Sequence, residues 1–282
     1  MKSYVLITGA GGGLGKAFVA ECAARGWDLL LTDLHQAPLR ALADGTERLY
    51  NVKVLTHPAD LTNPASRAAL WEHVHQMGLR FHMLINVAGI GFDGGFDDRR
   101  LDELQAVLRL NVENTVEMTR CALTYRDPMR TLHIINVSSL ASFYPMPLKA
   151  VYAASKRFLL DLSIALNQEL RARDVTVTAL CPAGLPTTPR CIELIEAQGL
   201  MGRITTMNVG KVAHQTVTSA LRGRMVVIPG AINQILRFFG GLVPAPFVAA
   251  LINRRWRRCR TTSEREATTA DLHPSLPLEV RS

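Results

Sequence analysis

Tyr152 and Lys156, in Val151-Tyr152-Ala153-Ala154-Ser155-Lys156, have the types and spacing to do chemistry. Residues four apart share one face of a helix. An ammonium beside a phenol favours the phenolate, so the tyrosine releases its proton more easily. Such a pair serves as a general acid and base near neutral pH. A surface helix can carry the same spacing with no chemistry at all, so the pair has to be read with its surroundings. Two polar residues lie upstream: Asn111, inside a helical stretch, and Ser139, at the end of an apolar run. Each has a plain reading, as a satisfied buried amide and a cap at a strand end.

A third group is Thr8-Gly9-Ala10-Gly11-Gly12-Gly13-Leu14-Gly15, between the first apolar run and the first helical pattern. Gly9 permits a tight turn, Gly13 lets a pyrophosphate approach the backbone, and Gly15 lets helix and strand pack closely. The helix N-terminus offers free N–H groups and the positive end of its dipole. Asp33 ends the second apolar run. A carboxylate there accepts hydrogen bonds from ribose hydroxyls and repels a 2′-phosphate. Gly12, Leu34 and His35 add no fixed positive charge, although Lys16 is close enough to soften the discrimination. The expected cofactor is NAD rather than NADP.

The elements that must position these residues alternate. Strands are expected over Tyr4–Thr8, Asp28–Thr32, Val52–His57, Phe81–Asn86, His133–Val137, Val175–Leu180 and Met225–Ile228. Helices are expected over Leu14–Arg25, Leu39–Leu49, Pro64 to Gly78 after an Asn63 or Thr62 cap, Leu101–Thr124, Val151–Arg171 and Val209–Leu221. Near-continuous apolar strands in β-α repeats imply a parallel sheet covered on both faces, an α/β doubly wound Rossmann-type fold. The irregular stretch Ala183–Gly202 follows the sixth strand, where such sheets bind ligands.

The glycine spacing and the Tyr152/Lys156 pair together resemble the compact single-domain branch of the short-chain dehydrogenase/reductase family. The resemblance runs from about Ser3 to Pro229. It implies an oxidoreductase acting on CH–OH groups, with Asn111, Ser139, Tyr152 and Lys156 as the catalytic set. Tyr152 exchanges the proton, Lys156 also binds the nicotinamide ribose, Ser139 holds the substrate oxygen, and Asn111 holds a water linking Lys156 to solvent. Ser138 is then a structural neighbour. Thr8, Gly9, Gly11, Gly12, Gly13, Leu14, Gly15, Asp33 and Leu34 would hold the cofactor, with Asp60 and Leu61 at the adenine. Asn86-Val87-Ala88-Gly89 resembles the family's Asn-Asn-Ala-Gly motif, with Val87 replacing the second Asn. Pro182, Ala183, Gly184 and Thr187 resemble its segment beside the nicotinamide, with Ala183 where Gly is usual. The family also implies a homodimer or homotetramer built on the two long helices.

With 48% hydrophobic and 20% charged residues, the chain can fill a packed core. The first apolar run leads into glycines, so it reads as a strand and not as a signal peptide. Cys22, Cys121, Cys181, Cys191 and Cys259 are scattered. That pattern fits reduced thiols in the cytoplasm and no metal site. The net charge of +8 concentrates in Arg254, Arg255, Arg257, Arg258 and Arg260, so no nucleic-acid surface is expected over the domain. Residues 1–230 are read as the catalytic domain, 231–260 as an apolar and basic helical extension, and 261–282 as a disordered tail. Breaks at Gly240, Gly241, Pro244 and Pro246 turn the extension into two short helices: a lid, an interface, or a peripheral membrane contact through 235–260. Phe92, Phe96, Phe143, Tyr144, Met146 and Leu185 suggest a lipophilic small-molecule substrate. The competing readings are an NADPH-dependent 3-oxoacyl reductase, which Asp33 opposes, and a catalytically silent nucleotide-binding regulator.

Overall fold

A computed structural model describes residues 2–187, 205–240 and 243–254. The chain alternates β1 (Ser3–Thr8), α1 (Gly13–Ala24), β2 (Asp28–Thr32), α2 (Gln36–Leu49), β3 (Val54–Thr56), α3 (Pro64–Gln76) and β4 (Arg80–Asn86). It continues through α4 (Leu101–Leu108), a π-helical turn (Arg109–Glu113), α5 (Asn114–Thr124), β5 (Leu132–Val137) and a 3₁₀ turn (Leu140–Phe143). Then come α6 (Ala150–Leu170), β6 (Val175–Leu180), α7 (Val209–Leu221), β7 (Val226–Val227) and α8 (Ala231–Gly240). Residues 245–254 are helical.

All seven strands pair in parallel, in the order β3-β2-β1-β4-β5-β6-β7. The order reverses between β1 and β4, which opens a crevice at the carboxyl ends of the strands. Alternation along each strand divides the core. Val5 and Ile7 face one side with Leu29, Leu31, Met83 and Ile85, under α1, α2 and α7. Tyr4 and Leu6 face the other with Leu30, Phe81, Leu84 and Ile134, under α3, α5 and α6. Each fully buried leucine or isoleucine stabilises this arrangement by roughly 1.5–3 kcal/mol. This is the expected Rossmann-type sheet.

Helix ends follow local chemistry. Asn63 caps α3 by accepting from Ala65 N at 2.9 Å, with Pro64 at the first helical position. Asn208 caps α7 by accepting from Gly210 N and Lys211 N. Several expected ends shift by one or two residues, and four differences are larger or have a clear local cause. α2 begins at Gln36, because Pro38 falls in the first turn, where its missing N–H costs nothing. β3 and β7 are shorter than expected, since only part of each apolar run finds a pairing neighbour. The long helix expected over Leu101–Thr124 is interrupted by the π-helical turn. Most of the Ala183–Gly202 stretch, and the segment from Arg255 onward, lie outside the described residues. Among the described residues no helix is long and apolar enough to cross a membrane.

His82 of β4 sets an acid limit on this core. Its Nδ1 is 3.2 Å from Ser3 Oγ and its ring meets the edge of Trp27. Burial, then the nearby Arg130 and His133, hold its pKa down at about 4, against the pull of Asp127. His57 and His133 are lowered by burial as well. A histidine whose folded pKa is depressed stabilises fully above its unfolded value and loses that stability as pH falls. For His82 the window runs from the ordinary value of 6.5 down to about 4, and the loss is roughly 3 kcal/mol. Urea midpoints at about pH 7.5 and 4.5 should therefore differ less in His82→Phe than in the wild type. Equal differences would remove His82 from the account.

Candidate active site

The glycine loop packs so tightly that three of its positions, Gly9, Gly13 and Gly15, exclude any side chain. A Cβ on Gly15 would lie 2.1 Å from Gly9 O, and one on Gly9 would lie 2.8 Å from the Ala88 backbone. Gly9 also has φ 63°. Thr8 Oγ1 accepts from Val87 N and Ala88 N at 3.2 Å, tying the end of β1 to the β4 loop. At Gly12, the N-cap of α1, no side chain caps the helix, and its first turn holds no acid. The N–H groups from Gly13 and Leu14 onward thus suit an anion such as a pyrophosphate. A Cβ on Gly13 would meet Thr187 Cα at 2.9 Å, so the loop from Pro182 through Ala183 and Gly184 to Thr187 folds onto the glycines. Pro182 O accepts from Leu140 N, joining that loop to the turn after β5.

Asp33 faces the same loop. Its Oδ2 accepts from Gly11 N at 2.8 Å and its Oδ1 from Leu34 N at 2.7 Å. An ionised carboxylate has further lone pairs, so ribose hydroxyls can still be accommodated. Asp60 Oδ1 accepts from both Thr62 N and Thr62 Oγ1. Leu61 is buried, and its carbonyl accepts from Arg67 Nη1 at 3.0 Å. Arg67 is itself buried and ion-paired to Glu113 at 2.5 Å and Glu117 at 2.6 Å. It therefore joins the Asp60–Leu61 loop to the π-helical turn.

That turn carries Asn111, which is fully buried. Its Oδ1 accepts from Ile90 N at 2.9 Å, and its Nδ2 donates to Ile90 O at 2.9 Å and to Ser155 Oγ at 3.0 Å. Ser155 Oγ in turn donates to Tyr152 O at 2.7 Å. A π-helical turn re-aims a side chain by inserting one residue into the helical ladder. Here it directs Asn111 across to α6. Gly89 leaves room between the two elements: a Cβ there would be 3.0 Å from Lys156 Nζ and 3.1 Å from Asn111 Oδ1. Asn86, from the same motif, donates to Asn136 Oδ1 at 2.9 Å inside the sheet.

Lys156 is buried and donates to Val137 O at 2.8 Å. Burial pulls its pKa down to about 8, and Cys181 pulls slightly the other way. The ammonium is thus still the major form at pH 7. Its Nζ lies 5.8 Å from the centre of the Tyr152 ring. Ser138 Oγ donates to Lys156 O at 2.6 Å, which locks the end of β5 to α6. The next residue, Ser139, accepts from Ala141 N at 3.1 Å. Asn111, Lys156, Tyr152 and Ser139 thus gather at the carboxyl end of β4 and β5, beside the glycine loop.

Three contributors were not visible in the sequence motifs. Gly91 packs against the Tyr152 ring: a Cβ there would be 2.5 Å from Cδ2. Ser155 bridges Asn111 to the Tyr152 backbone, and its place inside the Tyr152-to-Lys156 segment is the one signal that could have found it. Arg67 braces the π-helical turn. The cleft at Tyr152 is lined by Phe92, Phe96, Leu104, Val107 and Leu148, with Arg99 and Lys149. Leu148 has φ 64°, a left-handed conformation costing a leucine on the order of 1–2 kcal/mol. Its carbonyl accepts from Gly94 N, and Lys149 pairs with Asp93 at 2.5 Å, holding the aromatic loop against α6.

The short chain dehydrogenase family model matches residues 3–197. The chain is 29% identical over 255 residues to 17-beta-hydroxysteroid dehydrogenase type 3 of Homo sapiens, covering 87% of this chain and 76% of that protein. It is 30% identical over 208 residues to the 3-oxoacyl-[acyl-carrier-protein] reductase FabG of Thermotoga maritima, covering 73% and 84%. A short-chain dehydrogenase from Sphingobium yanoikuyae, solved in complex with NADPH, matches with a TM-score of 0.71 and 26% identity over 98% of this chain and 99% of that one. The chain belongs to the short-chain dehydrogenase/reductase family, and is an oxidoreductase that acts on CH–OH groups with NAD(P).

Proposed function

We propose that the protein catalyses reversible hydride transfer between NAD(H) and a lipophilic secondary alcohol or ketone, with Tyr152 exchanging the hydroxyl proton. The observation that carries this is the hydrogen-bonded link from Asn111 through Ser155 to the Tyr152 backbone carbonyl, which fixes the start of α6, with the buried Lys156 ammonium one turn on along the same helix. The nicotinamide supplies or accepts the hydride. Tyr152 Oη gives its proton to the developing alkoxide, or takes it from the alcohol. The Lys156 charge favours the phenolate and leaves donors free for the cofactor's ribose. Ser139 Oγ donates to the substrate oxygen and stabilises charge that develops there. Asn111, held on both polar atoms, orders the water through which Lys156 exchanges protons with solvent.

The cofactor assignment rests on Asp33. Its carboxylate lies at the edge of the glycine loop, where a 2′-phosphate would be repelled. The Sphingobium neighbour holds NADPH, so the preference needs its own test. Asp33→Ala is expected to lower the NADH-over-NADPH preference in kcat/KM by about tenfold or more, the equivalent of one charge-assisted hydrogen bond. An unchanged ratio would overturn the NAD assignment. The aromatic and aliphatic side chains that line part of the cleft at Tyr152 support a lipophilic substrate, and the names of the relatives point to steroid and 3-oxoacyl groups. A panel of steroids, acyl ketones and sugar alcohols, followed by NADH absorbance, tests the substrate class. Sugar alcohols turning over fastest would reject it.

We assign residues 1–230 to the catalytic domain and 231–260 to an accessory extension, in a cytoplasmic homo-oligomer. Val116 on α5, and Phe158 and Ile164 on α6, are exposed on the two helices expected to pair with a second copy. An oligomer would cover them.

A further inference from the structure

α8 is amphipathic in the reverse sense. A surface helix normally buries an apolar stripe and exposes its polar face. Here the one buried residue among those described on the helix is polar, Asn233. Asn233 Nδ2 donates to Pro229 O at 2.8 Å and Thr205 O at 3.1 Å, and Gln234 Nε2 donates to Ile228 O at 2.9 Å. The outward residues are apolar: Ile235 is 54% exposed, Phe238 62% and Phe239 61%. The helical residues after it repeat the pattern, with Phe247 69% and Leu251 70% exposed. Large apolar side chains exposed together on one helix in this way mark a site of contact.

The sequence on either side of it carries charge of one sign. From Ala197 to Ser263 the sequence contains no Asp or Glu. It contains Arg203, Lys211, Arg222, Arg224 and Arg237, then the cluster Arg254, Arg255, Arg257, Arg258 and Arg260. Exposed phenylalanines interleaved with basic residues fit an anionic bilayer, which offers a hydrocarbon layer beneath negative headgroups. Nucleic acid would use the charge but not the apolar row. α8 is also coupled to the catalytic end of the sheet. Tyr144 Oη donates to Leu236 O at 2.9 Å, and the Arg237 guanidinium lies over the Phe143 ring at 4.8 Å. Phe143 ends the 3₁₀ turn that begins directly after Ser139.

We propose that α8 and residues 245–254 dock the enzyme on an anionic membrane surface, and that a bilayer-dissolved alcohol or ketone enters the site past α8 and the Phe143–Tyr144 turn. The entry part rests on the lipophilic-substrate reading given above; the docking part does not. The test uses the full chain with phosphatidylcholine vesicles, made with and without phosphatidylserine. Wild type should float only with the phosphatidylserine vesicles, and less so at high salt. The double variant Phe238→Ser/Phe239→Ser removes two exposed rings that meet edge to face. Its vesicle partitioning should fall by at least about tenfold, since each ring otherwise buries apolar area in the bilayer. Its kcat/KM for a water-soluble ketone should be unchanged, and that for a vesicle-dissolved ketone reduced.

Wild type remaining in the soluble fraction would overturn the docking proposal. So would dissociation of the oligomer in the double variant, which would assign the apolar row to a second copy of the chain. Duplex-DNA binding with no flotation would assign the charge to nucleic acid and overturn it as well. If the protein floats but turns over neither ketone, the lipophilic-substrate reading fails and the docking surface stands. Equal use of vesicle-dissolved ketone by both proteins would overturn the entry route alone.

Discussion

Tyr152→Phe should lower kcat by roughly 10²–10⁴-fold and leave NADH affinity unchanged, as read by fluorescence titration. The substitution removes one oxygen and keeps the ring, so the packing against Gly91 and the hydrogen bond from Ser155 to the Tyr152 carbonyl persist. What disappears is the atom that exchanges the proton with the substrate oxygen. The cofactor contacts proposed for the glycine loop, Asp33 and Lys156 do not involve that atom. Loss of turnover with intact binding therefore separates proton transfer from cofactor binding. Retained turnover would sink the assignment, and loss of both would mean that the ring is structural. Lys156→Met should also lower kcat, but with a weaker NADH complex. It removes a buried ammonium that donates to Val137 O and leaves that carbonyl short of its partner.

The elements that position these groups were legible because they depend on local patterns. β2, β6 and α7 have the ends that their apolar runs and caps indicate. Parallel order follows from strands that are apolar on both faces. The π-helical turn was not legible. Residues 101–124 carry a continuous helical pattern, and the extra residue in the ladder is imposed from outside, by Arg67 gripping Glu113 and Glu117 and by Ile90 holding Asn111. Those partners lie 20 or more residues away in sequence. α8 failed differently. Its hydrophobic periodicity was plain, but periodicity does not tell which face is inward, and here a buried Asn233 rather than the phenylalanines anchors the helix. Substrate identity stays illegible for a related reason. Aromatic residues on loops can line a cleft or pad the core, and only their packing distinguishes the two.

Gly91→Ala carries the same argument to a residue that no motif marks. The added methyl would lie 2.5 Å from Tyr152 Cδ2 and 3.0 Å from Cγ and Cε2, so the ring has to move. A displacement approaching 1 Å at a reacting group costs about 10²-fold in rate even when every catalytic atom is present. We expect kcat to fall by roughly 10–100-fold, with NADH affinity unchanged, because the glycine loop and Asp33 are not touched. Gly45→Ala is the control. It lies inside α2 with nothing within 4 Å of the added carbon, so it should raise stability by about 0.5–1 kcal/mol and leave kcat alone. If Gly91→Ala also left kcat unchanged, the position of the Tyr152 ring would not depend on this contact. If both kcat and thermal stability fell, the contact would be packing. A drop in kcat alone would show that Gly91 sets where the proton is exchanged.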